Sequence, residues 1–254
     1  MRSLLVFLAL LFVTPWYVGR FLWIELTGGS DPGARLGHLS VKRWGKICCW
    51  GGGVRVIAHG VERIEDPSPL VIVANHVSWF DVFALAAGLP RVAFIAKAEL
   101  GRLRFFGRAM RTAGHLFVDR KNHKAAFAQY DEAAARIREG TTVVIFPEGT
   151  RGDEYALRPF KKGPFVLAIA AGVPIVPVLV HGSREALARG SLWVRSHDIH
   201  VHVLDPIPTA GCNYEDRNRL AQQARNAMAK AQQDLYGIPS PEWNPGTRAG
   251  ETVG

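Results

Sequence analysis

One histidine and one aspartate, His76 and Asp81, have the spacing of a general acid–base pair. His76 follows the apolar run Leu70–Ala74, which predicts a strand, and Asp81 falls in the first turn of the helix predicted next, where the helix dipole favours an ionised carboxylate. A carboxylate in that position can fix the imidazole tautomer and leave the other ring nitrogen as a general base. Such a base suits the deprotonation of an alcohol as it attacks an acyl carbonyl.

The same segment also allows a structural interpretation. Ser78 and Asp81 have the spacing of a capping box, in which Asp81 at the third helical position accepts a hydrogen bond from the Ser78 amide. The two roles can coexist.

Basic residues follow three further apolar runs that predict strands. Lys97 comes directly after one run, Arg120 stands second after another, and Arg151 ends the polar segment that follows a third. In open parallel sheets, ligands bind outside the carboxyl ends of the strands. If these strands are parallel neighbours, His76 and the three cations share one cleft.

Strand and helix patterns alternate from residue 54 onward. The strands are predicted at 54–58, 70–74, 92–96, 115–118, 142–146, 175–180 and 199–204, and the helices near 78–88, 99–111, 123–139, 160–171 and 214–235. Gly140 and Gly172 stand where helices are expected to end. Apolar strands that alternate with helices favour an α/β fold over residues 53–236, with a mostly parallel sheet flanked by helices.

The first 52 residues predict a helical membrane anchor. The uncharged segment Ser3–Gly19 would span about 25 Å as a helix, just short of the ~30 Å hydrocarbon core of a bilayer. Trp16, Tyr17 and Trp23 suit the interface between lipid tails and headgroups. Residues 36–50 predict a basic amphipathic helix. A cleaved signal peptide and an ordinary helix packed on the domain are the respective alternatives.

Composition restricts the class of protein. The 254 residues carry a net charge of +9 and are 48% hydrophobic, which excludes a disordered or collagen-like chain. The positive charge favours a polyanionic partner such as nucleic acid, an anionic membrane or a phosphorylated substrate. No nucleic acid is expected as a partner, because the basic residues form no recognisable DNA- or RNA-binding motif.

No metal site is expected from the histidine-rich segment near residue 200. His200 and His202 alternate with apolar residues, which predicts a strand whose histidines face solvent, and His197 precedes it. Residues 237–254 contain glycine and proline without an apolar period and predict a flexible tail.

Four motifs occur in order between residues 70 and 180. They are Asn75-His76-x4-Asp81, Gly-His-Leu-Phe-Val-Asp-Arg at 114–120, Phe-Pro-Glu-Gly-Thr-Arg at 146–151, and Val-Pro-Ile-Val-Pro-Val at 173–178. Behind a hydrophobic N-terminus, this set resembles the glycerolipid acyltransferase superfamily, in particular the bacterial 1-acylglycerol-3-phosphate acyltransferases. His115 is a mild departure, because the family more often has an apolar residue there.

The resemblance implies a direct acyl transfer without an acyl-enzyme. His76 would be the general base on a glycerol hydroxyl and Asp81 its orienting partner. The hydroxyl would attack the thioester of acyl-CoA or acyl-carrier protein, which is the donor substrate, and neither a cofactor nor a metal is expected.

The resemblance also implies a set of substrate-binding residues. Arg120, Arg151 and Lys97 would bind the phosphate of the acceptor, since guanidinium groups match phosphate oxygens. Glu148 would orient a hydroxyl of the glycerol backbone. Gly149 would permit a close approach of the substrate, and Thr150 would complete this loop.

The expected reaction is acylation of the sn-2 hydroxyl of 1-acylglycerol-3-phosphate (lysophosphatidate), which gives phosphatidate for phospholipid synthesis. The expected partners are membrane lipids, lysophosphatidate and the acyl donor, and the expected location is the cytoplasmic face of the inner membrane. Two alternatives stay open, which are acylation of another lysolipid such as lyso-ornithine lipid and a non-catalytic basic membrane-binding module.

Overall fold

Seven strands form one sheet in the described part of the chain, which in this computed structural model comprises residues 1–27, 35–64, 68–118 and 123–245. They are β1 (Arg55–His59), β2 (Val71–Ala74), β3 (Ala93–Lys97), β4 (Leu116–Val118), β5 (Val143–Ile145), β6 (Ile175–His181) and β7 (Asp198–Val203). Each lies within one residue of a predicted strand at both ends. The short β-branched runs therefore located every strand of this sheet.

The sheet is mostly parallel, as predicted. The strand order is β1-β7-β6-β2-β5-β3-β4, with β2 near the centre. Strands β2 to β6 run in one direction, whereas β7 is antiparallel to β6 and β1 is parallel to β7. The carboxyl ends of β2, β5 and β3, which precede the predicted site residues, consequently meet at one edge of the sheet.

Ten α-helices surround the sheet within the described ranges. They are α1 (Arg2–Leu8), α2 (Thr14–Leu26), α3 (Arg35–Gly52), α4 (Trp79–Gly88), α5 (Ala98–Gly101), α6 (Arg104–Thr112), α7 (His123–Arg138), α8 (Gly163–Ala171), α9 (Ser183–Ala186) and α10 (Arg217–Tyr236), and a π-helical turn, Ala9–Val13, joins α1 to α2. The prediction missed α9. Gly140 and Gly172 follow α7 and α8 with positive φ angles of 109° and 67°, as the C-cap prediction requires.

The helix predicted near 99–111 is broken into α5 and α6. A Cβ added to Gly107 would lie 2.2 Å from the Gly101 carbonyl oxygen, so α6 folds back onto α5 at a distance that only glycine permits. This close approach is a tertiary contact, which helical periodicity does not report.

Two hydrophobic clusters cover the two faces of the sheet. Val71 and Val73 of β2 belong to the cluster with α7, α8 and α10, and Ile72 and Ala74 belong to the cluster with α3 and α4. All four residues of β2 are fully buried. Burial of Ala74, the last residue of β2, therefore fixes the position of the backbone two residues before His76.

The N-terminal segment is built into the domain rather than standing apart from it. Val6 and Ala9 join the cluster beneath α3 and α4. Cys48 and Cys49 of α3 are buried there too, and burial raises the pKa of each thiol to about 12. A Cβ added to Gly45 would lie 2.7 Å from the Phe83 carbonyl oxygen, so α3 and α4 touch closely. The helix α3 therefore packs on the domain, as the alternative interpretation of residues 36–50 expects.

The other side of the N-terminal helices is apolar and exposed. Residues Arg2–Ile24 are long and apolar enough to cross a membrane by length and composition. Phe7, Phe12, Trp16 and Trp23 are each more than half exposed. Tyr17, predicted at the membrane interface, instead packs inward in a small cluster with α6. The exposed apolar strip agrees with the predicted membrane contact.

The predicted flexible tail is anchored over the part that the structure describes. The Ser240 hydroxyl donates to Gln232 Oε1 at 3.0 Å, and the Trp243 ring packs against Phe160 with centroids 6.1 Å apart. Arg225 donates to the Pro241 carbonyl oxygen at 2.8 Å. Single side chains rather than an apolar period make these contacts, and residues 246–254 lie outside the described ranges. The flexibility of residues 237–254 stays a prediction.

His115, the departure in the second motif, is a buried acceptor. Its Nδ1 accepts a hydrogen bond from the Phe94 amide at 2.9 Å. Burial, followed by the nearby His38, lowers the pKa of His115 to about 4. The folded protein thus keeps this imidazole neutral at a pH where the unfolded chain protonates it.

We expect the free energy of unfolding to fall as the pH drops from about 6.5 to about 4, by up to about 1.4 kcal/mol per pH unit from this residue. His115→Asn keeps an acceptor for the Phe94 amide but cannot titrate. Chemical denaturation across this pH range is expected to show a flatter dependence for the variant. Equal slopes for the two proteins would contradict the assignment.

Candidate active site

The structure brings His76 and Asp81 together. His76 Nδ1 lies 2.8 Å from Asp81 Oδ2. The His76 side chain is 13% exposed and that of Asp81 is fully buried. Because an ionised carboxylate only accepts hydrogen bonds, Nδ1 carries the proton and Nε2 of His76 keeps its lone pair. The predicted pairing is confirmed as a geometry, and it leaves the imidazole able to take a proton at Nε2.

Asp81 also performs the predicted capping role. Its Oδ2 accepts from the backbone amides of Val77 and Ser78, at 2.7 and 2.8 Å, in addition to the bond with His76. Ser78 completes the capping box by accepting from the Phe80 amide at 3.2 Å. The contact with His76 and the capping box therefore occur together, and the start of α4 fixes the carboxylate that contacts His76.

The loop after β5 lies directly against His76. The Phe146 ring stacks on the His76 ring with centroids 3.9 Å apart and an interplanar angle of 15°. The Gly152 amide donates to the His76 carbonyl oxygen at 2.7 Å. These contacts follow from the sheet order, because β2 and β5 are parallel neighbours. They hold the imidazole from one side while Asp81 holds it from the other.

Glu148 connects this loop to the strand that precedes His76. Its Oε1 accepts from the His76 amide at 3.0 Å, and its Oε2 accepts from Arg158 Nε at 3.0 Å. Glu148 is 7% exposed. Burial raises the pKa of Glu148, and the hydrogen bonds from Arg158 and from the His76 amide oppose that shift. Glu148 thus stabilises the local backbone whatever else it contacts.

Arg158 is a residue that the sequence interpretation missed. Besides the ion pair with Glu148, its NH2 group donates to the Thr150 carbonyl oxygen. Arg158 lies ten residues beyond Glu148 in a segment without a strand or helix, so neither spacing nor strand position indicated it. Glu148 is thus paired with Arg158 rather than with Arg151, the arginine that is nearer to it in the sequence.

Asn75 is likewise structural in a way that its motif did not show. Its side-chain amide donates to the Val180 carbonyl oxygen at 2.9 Å and accepts from the Val180 amide at 2.7 Å. These two bonds continue the pairing of β2 with β6 past the last paired residue. They keep the backbone at His76 in register with its neighbour.

The predicted cations occupy different positions. Arg151 lies in the loop beside His76, with its guanidinium 4.9 Å from the centre of the exposed Trp79 ring. Lys97 ends β3, next but one to β2 in the sheet, and its side chain is exposed. Arg120 lies outside the described residues. The structure therefore places Arg151 beside the base and Lys97 farther along the same edge.

Gly149 and Thr150 form the turn between Glu148 and Arg151. Gly149 has a φ angle of 79°, which favours glycine, and a Cβ there would lie 2.7 Å from Nζ of Lys161. The backbone of this turn is consequently bare on the side where Lys161 reaches it. Thr150 is exposed at the end of the turn.

The fold and the His76–Asp81 pair are those of an α/β protein in which an imidazole is placed to take a proton from a bound hydroxyl group. A family model described as "Acyltransferase" matches residues 55–181, which is half of the chain and includes both residues. The chain belongs to this acyltransferase family.

Several characterised or named proteins are similar to this chain. A putative 1-acyl-sn-glycerol-3-phosphate acyltransferase of Caenorhabditis elegans is 31% identical over 81% of this chain and 73% of its own length. The human 1-acyl-sn-glycerol-3-phosphate acyltransferase alpha is 35% identical over 69% of this chain and 63% of its own length, so this chain spans less than two thirds of that relative. A Borreliella burgdorferi enzyme of the same name is 29% identical, over 77% and 79% respectively.

The fold is also similar to a solved structure. The crystal structure of the 1-acyl-sn-glycerophosphate acyltransferase of Thermotoga maritima superposes with a TM-score of 0.75 and covers 95% of this chain and 100% of its own. At 24% sequence identity, this likeness supports the architecture alone. The seven-stranded sheet and the N-terminal helices thus form an arrangement already seen in an experimental structure.

Proposed function

We propose that this protein transfers a fatty acyl group to the sn-2 hydroxyl of 1-acylglycerol-3-phosphate and so forms phosphatidate. The observation that carries the proposal is the hydrogen bond of 2.8 Å between His76 Nδ1 and Asp81 Oδ2, beside a loop that presents Arg151. The names of the similar proteins support the same acceptor.

His76 acts as the general base in the proposed reaction. Its Nε2 takes the proton of the acceptor hydroxyl while the hydroxyl oxygen forms a bond to the thioester carbonyl carbon. The carbon–sulfur bond then breaks, and the imidazolium returns the proton to the departing sulfur. Asp81 stabilises the positive charge that His76 carries between these two steps. The enzyme is regenerated, and no bond between the acyl group and the protein forms.

Cations bind the phosphate of the acceptor in this proposal. Arg151 belongs to the loop that contacts His76, Lys97 ends β3 farther along the edge of the sheet, and Arg120 lies outside the described residues. A guanidinium binds phosphate oxygens in pairs, whereas the ammonium of Lys97 adds a point charge. Glu148 accepts a hydrogen bond from a glycerol hydroxyl through the lone pairs that His76 and Arg158 do not use. Gly149 and Thr150 shape the backbone against the substrate.

The acyl donor is acyl-CoA or acyl-carrier protein, both of which are anionic thioesters. Nine basic and two acidic residues lie between Arg91 and Lys124, so this stretch holds most of the net charge of the protein. We infer that these basic residues attract the anionic donor, and also anionic lipid around the mouth of the cleft. The donor is a substrate, and the proposed chemistry uses no other organic group or metal.

The protein works at the cytoplasmic face of the inner membrane in this proposal. The exposed apolar strip of the N-terminal helices inserts into the lipid, and the basic stretch meets the headgroups. The enzyme thereby reaches lysophosphatidate while this lipid stays in the membrane.

A parallel assay of three acceptors tests the function. Purified protein in detergent is given acyl-CoA or acyl-carrier protein together with lysophosphatidate, glycerol-3-phosphate or lyso-ornithine lipid, and the lipid products are measured. We expect lysophosphatidate to be the only one of the three acceptors that is acylated, with phosphatidate as the product. Product from lyso-ornithine lipid only would transfer the assignment to that acceptor, and lipid binding without any product would indicate a non-catalytic membrane module.

The phosphate assignment predicts a specific defect in Arg151→Ala. We expect the KM for lysophosphatidate to rise by an amount corresponding to about 1.5–3 kcal/mol, because a charge-assisted hydrogen bond is lost. The KM for the acyl donor is expected to stay the same. Arg219→Ala is the control, because Arg219 is exposed on α10, is paired with Asp216 and lies outside the proposed site. An unchanged KM for lysophosphatidate in Arg151→Ala would remove Arg151 from the phosphate site.

The membrane assignment predicts that the exposed strip alone is needed for attachment. Replacing Phe7, Phe12 and Trp16 with serine leaves the inward-facing residues intact, so the fold is expected to persist while sedimentation with anionic vesicles is lost. Replacing Tyr214 and Leu235, which are exposed near and on α10, is the control and is expected to leave sedimentation unchanged. Full retention in the triple variant would contradict the assignment.

A further inference from the structure

Three histidines from two adjacent strands lie together at one edge of the sheet. His59 ends β1, and His200 and His202 belong to β7, where they stand two residues apart on one face. His59 is paired with His202 in the strand register. One ring nitrogen from each of the three lies within 4.8 Å of the others. We propose that His59, His200 and His202 bind a zinc ion, in a site separate from the acyl-transfer chemistry.

The distance between two of the rings fits a shared metal ion. Nε2 of His59 and Nδ1 of His200 are 3.2 Å apart. Two imidazole nitrogens on one tetrahedral zinc, each at about 2.0–2.1 Å from the metal, are separated by about 3.3–3.4 Å. These two nitrogens lie close to that separation, in a contact that without a metal is a hydrogen bond between the rings and that zinc would replace. The ring of His202 lies beside them, with its centroid 4.5 Å from that of His59, and needs a side-chain rotation to complete the set.

A second layer of contacts supports His202. The Tyr236 hydroxyl, at the end of α10, lies 2.6 Å from Nε2 of His202. Metal-bound histidines almost always have such a partner on the other ring nitrogen, because it fixes the tautomer. Tyr236 is itself held by the His181 ring, which stacks on it with centroids 3.6 Å apart. The site thus has a rigid support on the side of α10.

The charge state of the cluster suits a cation. The nearby Arg55 is neutralised by its ion pair with Asp198. Three imidazoles without a thiolate or carboxylate are a donor set that zinc accepts, with water in the fourth position.

The consequence of zinc binding would be mechanical. The strand β1 is at the edge of the sheet and pairs with β7 alone among the described strands. A metal bound by residues of both strands would stabilise the pairing of the end of β1 with β7. The side chain of His59 takes no part in the His76–Asp81 site, so the proposal does not depend on the acyltransferase activity.

Zinc titration of the untagged full-length protein tests the site. Protein stripped with a chelator is titrated with zinc chloride at pH 7.5 against a zinc-binding dye. We expect one zinc per chain, and an affinity that falls by more than about tenfold in each of His59→Ala, His200→Ala and His202→Ala. His197→Ala is the matched control, because His197 is exposed, lies next to the cluster and is not a member of it; its affinity is expected to be unchanged.

Two further measurements separate zinc ligation from folding. Tyr236→Phe is expected to keep one zinc per chain with an affinity lower by about tenfold, because only the supporting hydrogen bond is removed. Zinc is expected to raise the Tm of the wild-type protein and of His197→Ala but not that of His59→Ala, whose exposed side chain can be removed without disturbing the core. Absence of zinc binding by the wild-type protein, or equal binding by His59→Ala, would overturn the proposal.

Discussion

Replacing His76 with asparagine is expected to lower kcat for acyl transfer by about 10²–10⁴-fold. The asparagine amide can still donate to Asp81 Oδ2 from the position of Nδ1, but it has nothing in place of Nε2. The variant therefore keeps the hydrogen bond of 2.8 Å in the buried pair and loses only the atom that takes the proton. His76→Ala is expected to show the same loss of kcat.

The fold is expected to survive both substitutions. The bonds from the His76 amide to Glu148 and from the Gly152 amide to the His76 carbonyl oxygen belong to the backbone, so the side chain can change without breaking them. Lipid binding and the KM for lysophosphatidate are expected to stay close to their wild-type values. The measurement is initial rate at saturating donor, with thermal unfolding as the check of folding. Either variant retaining more than about a tenth of wild-type kcat would show that His76 is not the base.

Asp81→Asn is expected to lower kcat by about 10³–10⁴-fold, because the neutral amide no longer selects the imidazole tautomer or stabilises the imidazolium. It is also expected to destabilise the fold, since Oδ2 accepts from two backbone amides inside a fully buried site. The measurement is kcat per folded molecule, at a temperature well below the Tm of the variant, together with the KM for lysophosphatidate. A loss of stability alone would not lower kcat per folded molecule.

Ser78→Ala is the matched control for the capping role of Asp81. It removes the Oγ that accepts from the Phe80 amide and leaves the carboxylate in place. We expect a loss of about 1 kcal/mol in unfolding free energy, with kcat and the pH–rate profile of the folded protein unchanged. If Ser78→Ala reproduced the kinetic defect of Asp81→Asn, the carboxylate would act on catalysis only through the start of α4.

Local sequence pattern was enough to locate the strands but not their partners. The runs of β-branched and other apolar residues set each strand to within one residue. In the central strands β2 and β5, burial on both faces leaves little choice of residue type. The reversed direction of β1 and β7 was not predicted, because it depends on how the chain returns after β6. The pairing of β1 with β7 also brings His59 next to His200 and His202. Alternation within one strand does not show this neighbour, so the sequence predicts that the histidines face solvent.

The candidate site shows the same division. The predicted base and its carboxylate lie five positions apart at a strand–helix junction, so local geometry nearly fixes their contact. Arg158 reaches Glu148 from an irregular segment, and Asn75 bonds to Val180 across more than a hundred residues. Such contacts depend on the folded arrangement. The assignment of Lys97, Arg120 and Arg151 to a phosphate stays a prediction, and the KM of Arg151→Ala tests it for Arg151.

The close contact between α3 and α4 fixes the position of His76 relative to the N-terminal helices. At Gly45 the two helices approach too closely for a side chain, and α4 begins with the residues that fix His76. The N-terminal helices, whose apolar strip meets the lipid in the proposed function, pack against the other side of α3 and into the same cluster. In the proposed function, the His76 imidazole consequently stays at a constant distance from the acyl chains of the lipid. The acceptor hydroxyl would then be selected by its depth in the bilayer as well as by the charges around it.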